Sequence, residues 1–192
     1  CAMLHWGIAY AAGPFYNMPW GDFSEVEAVE CTLFCRSHID RALALALSAN
    51  TSDLEVALIE ALDKRVQKPY IVSPREFERW DTAYANAMRR VNLRFPGQLD
   101  VMALFVEAMM TRSPWNLWNV ESGCPTEGAD TLEAIAICQE ATRLADQSGV
   151  PQHWAILHLH IHLLEMSPEP EQAMDSAERL GQLARDAGHL HH

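Results

Sequence analysis

Apolar residues recur every three or four positions through most of the chain, with polar residues between them, the period of helices buried on one face. No segment alternates apolar and polar residues between hairpin turns, so strand content is expected to be near zero. Helix starts are marked locally. Ser24-Glu-Val-Glu27, Ser52-Asp-Leu-Glu55, Ser73-Pro-Arg-Glu76 and Asp130-Thr-Leu-Glu133 each place a capping side chain three residues before a glutamate. That is capping-box spacing, and Pro74 falls where a first-turn proline is tolerated. Ser167-Pro168 marks a further start. Stops lie at Phe95-Pro96-Gly97, Ser148-Gly149 and Ala187-Gly188. The pattern predicts helices over residues 2–12, 24–49, 52–67, 74–94, 98–112, 129–148, 151–166 and 168–187.

From residue 24 onward these helices pair as long helix, short link, second helix, with an irregular repeat of about 50 residues. The second helices share a seven-residue offset, Asp53 to Glu60, Asp100 to Glu107 and His158 to Glu165. Antiparallel helix pairs of this kind stack into an α-solenoid, so the expected fold is all-α, one helical-repeat domain over 1–192. Alanines at 42, 44, 46, 83, 85, 87, 134 and 136 are expected to let helices approach closely. Two stretches rich in Gly, Pro and aromatics interrupt the helices, Gly13 to Trp20 and Ser113 to Gly128. Their Trp20, Trp115 and Trp118 read either as pocket walls or as plugs of inter-helix grooves.

The chain of 192 residues is 49% hydrophobic and 21% charged, which is globular rather than disordered. Its formal charge of −12, with no basic cluster, argues against nucleic acid and anionic membrane surfaces as partners. No apolar run reaches membrane-spanning length. Five scattered cysteines suggest reduced thiols and a cytoplasmic protein. Cys31 and Cys35, one helical turn apart, read as small buried residues before they read as half a metal site. The chain begins at Cys1 and stops at His192 after a histidine-rich run, which predicts a piece of a longer protein.

The chemistry concentrates in Trp154-Ala-Ile-Leu-His158-Leu-His160-Ile-His162-Leu-Leu-Glu165. At about 100° per residue, His158, His162 and Glu165 fall on one narrow arc of a helix, and His160 points nearly opposite. Two imidazoles and a carboxylate on a buried stripe need hydrogen bonds, protons or a metal. His189 and His192 follow the cap at Gly188, and a helix 168–187 folding back would return them to His158. Four imidazoles and a carboxylate suit a divalent transition metal such as zinc, iron or copper. A purely structural hydrogen-bond network is the competing reading. His5, His38 and His153 stand isolated in the sequence and read as surface or satisfied core residues.

Several segments also carry a likeness: His5-Trp-Gly-Ile-Ala-Tyr10, Gly13-Pro-Phe-Tyr-Asn17, Trp80 to Met88, Ala103 to Met109, Pro114-Trp-Asn-Leu-Trp118, His158 to Pro168, and Asp186 to His192. In these the chain resembles the tetratricopeptide-repeat (TPR)-like proteins of bacteria and filamentous fungi that carry a histidine-rich signature. The resemblance implies a TPR-like solenoid with His at 158, 162, 189 and 192. The family pattern has an aromatic residue where His160 stands, which implies that His160 is not a ligand. It has Asn or a similar residue where Phe15 stands, and it continues past His192 with a further histidine.

Two functional classes follow. One is a binding scaffold whose inner face takes a protein or peptide segment, or a small molecule. The other is a metal-dependent enzyme using His158, His162, Glu165, His189 and His192 within the solenoid. No nucleophile motif, phosphate-cradling glycine loop or His-Glu-x-x-His pattern occurs.

Overall fold

The computed structural model describes residues 1–47, 50–70, 73–183 and 187. Over these residues the chain is helical, in two compact units, Cys1–Phe95 and Pro96–His192. The first holds α1 (Ala2–Ala12), α2 (Glu25–Ala46), α3 (Asp53–Leu62) and α4 (Pro74–Arg94), with a 3-10 turn at Trp20–Asp22. The second holds α5 (Leu99–Thr111), α6 (Thr131–Ser148), α7 (Trp154–Leu164) and α8 (Met174–Leu183), with a 3-10 turn at Pro170–Ala173. The expected absence of strand is broken only by a two-residue antiparallel ladder among the described residues. There β1 (Trp118–Asn119) pairs with β2 (Cys124–Pro125), Trp118 opposite Pro125.

Two of the four expected capping boxes form. The Ser24 side chain accepts from the Glu27 N–H, and Glu27 accepts back from the Ser24 N–H; Ser52 and Glu55 do the same. At Ser73 and Asp130 the side chain makes no cap bond. Glu76 is taken instead by Lys68, and Asp130 by Arg112. An ion pair with a cation from elsewhere thus replaces the local bond to the backbone. At the other end of α6, Gly149 supplies the left-handed cap at φ 65° that its position after Ser148 predicts.

In the first unit α1 packs on α2 and α3, and α3 on α4. Ala2, Ala42 and Ile59 form a buried cluster flanked by Met3, Trp6 and Leu43, and the Trp6 indole donates to the Leu58 carbonyl at 3.2 Å. Trp20 stacks on Phe77 with ring centroids 4.2 Å apart, so this indole plugs a groove. α3 ends at Leu62, not near residue 67, because the next residues turn inward. Asp63 accepts from buried Arg36 at 2.8 Å, and Arg65, 1% exposed, lies 5.1 Å from both the Tyr10 and Tyr84 ring centres. Hydrogen bonds and cation–π contacts hold those cations in the interior.

In the second unit α7 packs against α5, α6 and α8. Phe105, Val106, Met110, Ile156, Leu157 and Leu163 are buried to 1% exposure or less. Prolines shift two predicted starts. α7 begins at Trp154 instead of Pro151, behind the extended His153. α8 begins at Met174, after Pro168 and Pro170, because Glu169, which precedes Pro170, sits outside helical geometry. Most of the eight alanines are buried or half-buried, but Ala44 and Ala136 face solvent and serve no helix approach.

The seven-residue motif of the second helices repeats in sequence without repeating in surroundings. Glu60 is exposed, Glu107 is buried and accepts from the Thr111 hydroxyl at 2.8 Å, and Glu165 is exposed at the end of α7.

Candidate functional site

α7 is apolar on most of its circumference, so burial of Ile156, Leu157, Leu163 and Leu164 fixes its rotation. That rotation sets His158 and His162 side by side on one face. Their rings lie 4.6 Å apart, centroid to centroid, at 89°. Glu165 caps the helix from the next turn and accepts from His162 Nδ1 at 2.8 Å. The three residues therefore share an arc as helix phase requires. The arc is the buried stripe expected from the sequence only in part. His158 is half-buried, the His162 side chain is 10% exposed, and Glu165 reaches solvent. His160, on the opposite face of α7, is enclosed about as far as His162, and both rings bury their Nε2.

His160 is 9% exposed and its Nδ1 lies 2.9 Å from the Ser176 hydroxyl of α8. Its Nε2 is buried without a hydrogen-bond partner. Burial holds its pKa below the ordinary histidine value, an effect that the nearby Asp175 carboxylate partly offsets. The ring lines a cleft of about 380 Å³ with Gln139, Thr142, Gln172 and Ser176. The cations around that cleft are matched: Arg179 bonds Asp146 and Asp175, and Arg143 bonds Glu140.

The link between α5 and α6 covers the other side of α7. The Trp118 indole donates to the Leu163 carbonyl at 2.7 Å. That carbonyl belongs to the last turn of α7, whose acceptors lack intrahelical donors. The Thr131 hydroxyl donates to the Leu117 carbonyl at 2.7 Å and fastens the link to α6. Trp118 is thus a structural anchor. Trp115 differs: it is 49% exposed, its ring stands at 83° to that of His162 with centroids 6.0 Å apart, and its φ is +58°.

The structure brings together His158, His162 and Glu165. His189 and His192, which the sequence adds to this set, lie outside the described residues. Among the described residues no three His, Cys, Asp or Glu side chains converge in the manner of a metal shell. Cys31 and Cys35 are buried under α1, their sulfurs 3.8 Å apart and near the Ala12 and Ala9 carbonyls, as small core residues.

Two of the histidines that look isolated in sequence are a pair. His5 Nδ1 and His38 Nδ1 lie 2.8 Å apart across α1 and α2, beside the Phe34 ring. Partial burial, His38 and Arg41 together lower the His5 pKa. The packing of α1 on α2 makes this pair, and 33 residues of separation conceal it. His153, by contrast, bonds Asp100 at 2.9 Å near the surface.

A scan against protein-family models finds no match. No curated protein or solved structure matches either. Among the described residues, no helix is long and apolar enough to cross a membrane.

Proposed function

We propose that this chain is a TPR-like helical-repeat binding protein of the scaffold kind whose second unit carries a divalent-metal site on α7. One observation carries the reading: the perpendicular His158–His162 pair with the Glu165 carboxylate fixed on His162 Nδ1. A carboxylate behind a ring nitrogen is the usual device for orienting a metal-binding imidazole. It fixes the tautomer so that the opposite nitrogen, Nε2, carries the lone pair; that atom is buried here, so an ion would have to sit within the packing around α7. Glu165 then acts on His162 rather than on the ion. His158 and His162 supply two donors from one helix face, and His189 and His192 are the proposed further donors. Zinc, iron or copper suits this nitrogen-rich set, and such an ion supplies Lewis-acid polarisation of a bound oxygen when present. The scaffold reading draws on sequential helix packing in each unit and on a charge of −12. That charge favours a protein segment or a small molecule over nucleic acid as the partner.

A chelator tests this directly. A ligand that binds only the folded state at a hundredfold excess over its Kd stabilises it by about 2.7 kcal/mol. Tag-free protein should therefore melt several degrees lower, roughly 5–10 °C, after EDTA treatment than with zinc restored. The His158→Ala/His162→Ala double variant should melt at the same temperature under both conditions. Equal melting of the unaltered protein with and without EDTA contradicts the metal reading and leaves a structural imidazole network.

A further inference from the structure

α6 and α8 both pack on α7, and the space left between them is a cleft of about 380 Å³. That volume falls at the small end of small-molecule pockets, roughly 300–1,000 Å³. An ion pair from Arg179 to Asp146 ties α8 to α6 across it at 2.8 Å. His160 lines the cleft from α7 beside Ser176 of α8, and the two residues are 9% and 5% exposed. A buried imidazole ordinarily spends both ring nitrogens on hydrogen bonds. His160 spends one, Nδ1 on the Ser176 hydroxyl at 2.9 Å, and its Nε2 has no partner.

The charges at the cleft are already matched. Arg179 is held by Asp146 and Asp175, and Arg143 by Glu140. A charged ligand would have to compete with one of these pairs, and an uncharged one would not. The groups left for a ligand are neutral: the Thr142 hydroxyl, the Gln139 amide and the His160–Ser176 pair. A serine hydroxyl both donates and accepts, so this pair holds with the imidazole proton on either nitrogen. Nε2 can then accept or donate, and a hydroxyl is the ligand group that answers in both senses. We propose that the cleft between α6 and α8 binds a small uncharged polyol of monosaccharide size, with one hydroxyl on His160 Nε2 and a neighbouring one on Thr142. Because Nε2 is buried, that hydroxyl meets it as the exposed side chains of Gln139 and Gln172 turn aside. The cleft lies on the face of α7 opposite the His158/His162 arc, so the inference stands apart from the metal reading.

Nuclear magnetic resonance of the tag-free full chain with isotope-labelled histidine tests it, since each imidazole gives its own Cε1–H signal. D-glucose, myo-inositol and sorbitol are the neutral probes, with gluconate and glucosamine as anionic and cationic counterparts. At least one neutral probe should shift the His160 signal saturably and leave those of His158 and His162 in place. Thr142→Val, which keeps the side-chain shape and removes the hydroxyl, should weaken that probe by about three- to tenfold. His160→Phe, which keeps a buried ring without the nitrogen, should abolish its binding in isothermal titration; Thr142→Val decides alone should His160→Phe fail to fold. Unchanged or unsaturating His160 signals with every neutral probe, or affinity unaffected by Thr142→Val, overturn the site. Tighter binding of gluconate or glucosamine than of any neutral probe overturns the uncharged ligand and the proposal with it.

Discussion

Replacing Trp118 by phenylalanine tests how the α5–α6 link is fastened to the site helix. The indole N–H is the donor to the Leu163 carbonyl at 2.7 Å, and Leu163 is fully buried in the last turn of α7. Phenylalanine keeps most of the ring and removes the donor. The net hydrogen bond is worth about 1 kcal/mol, and a buried carbonyl left without a donor costs about 1–3 kcal/mol. Part of that loss is recovered because Trp118 is only half-buried, so water can approach the vacated position. The expected destabilisation is then about 2 kcal/mol. For a chain of this length that lowers Tm by roughly 4–8 °C. Thermal melts followed by circular dichroism measure it, and urea melts should show a lower midpoint at an unchanged slope. Because Trp115 lies on the same link, loosening Trp118 should also widen the distribution of Trp115 ring positions against His162. A variant melting within about 1 °C of the unaltered protein refutes the anchor.

Two further predictions concern the first unit and the helix starts. Ser24→Ala and Ser52→Ala should each destabilise by about 1 kcal/mol, whereas Ser73→Ala, whose side chain makes no cap bond, should stay within about 0.3 kcal/mol; urea denaturation ranks the three. His5 should titrate below its unfolded value near 6.5, so its contribution to stability is complete above that pH and is lost as pH falls through the lowered folded value. Nuclear magnetic resonance titration of the imidazole signals checks the sign, and His38→Gln should move His5 upward.

Helix positions were legible because their signals are local. The boxes at Ser24 and Ser52 form as written, since each needs only its own first turn. The same spelling at Ser73 and Asp130 fails because Lys68 and Arg112, placed by the surrounding fold, claim Glu76 and Asp130. The shared arc of His158, His162 and Glu165 was legible for the same reason as the boxes: helix phase alone sets it. Its burial was not, because that depends on what packs over each side of α7. Ser176 of α8 closes over His160, while Glu165 emerges at the helix end. The Trp118–Leu163 and His5–His38 contacts span 45 and 33 residues, and no periodicity along the chain encodes them. A solenoid repeat read from the shared seven-residue offset stays a proposal, since Glu60, Glu107 and Glu165 meet three different environments.

The central proposal is that His158 and His162 hold a divalent ion with Glu165 behind His162. Elemental analysis of tag-free, full-chain protein after dialysis tests it most directly, with the His158→Ala/His162→Ala variant prepared in parallel. The account predicts about one zinc, iron or copper ion per folded chain, absent from the double variant and lost on acidification as protons compete for the ligand nitrogens. Metal-free protein after equilibration with all three ions, or equal metal in the double variant, contradicts it.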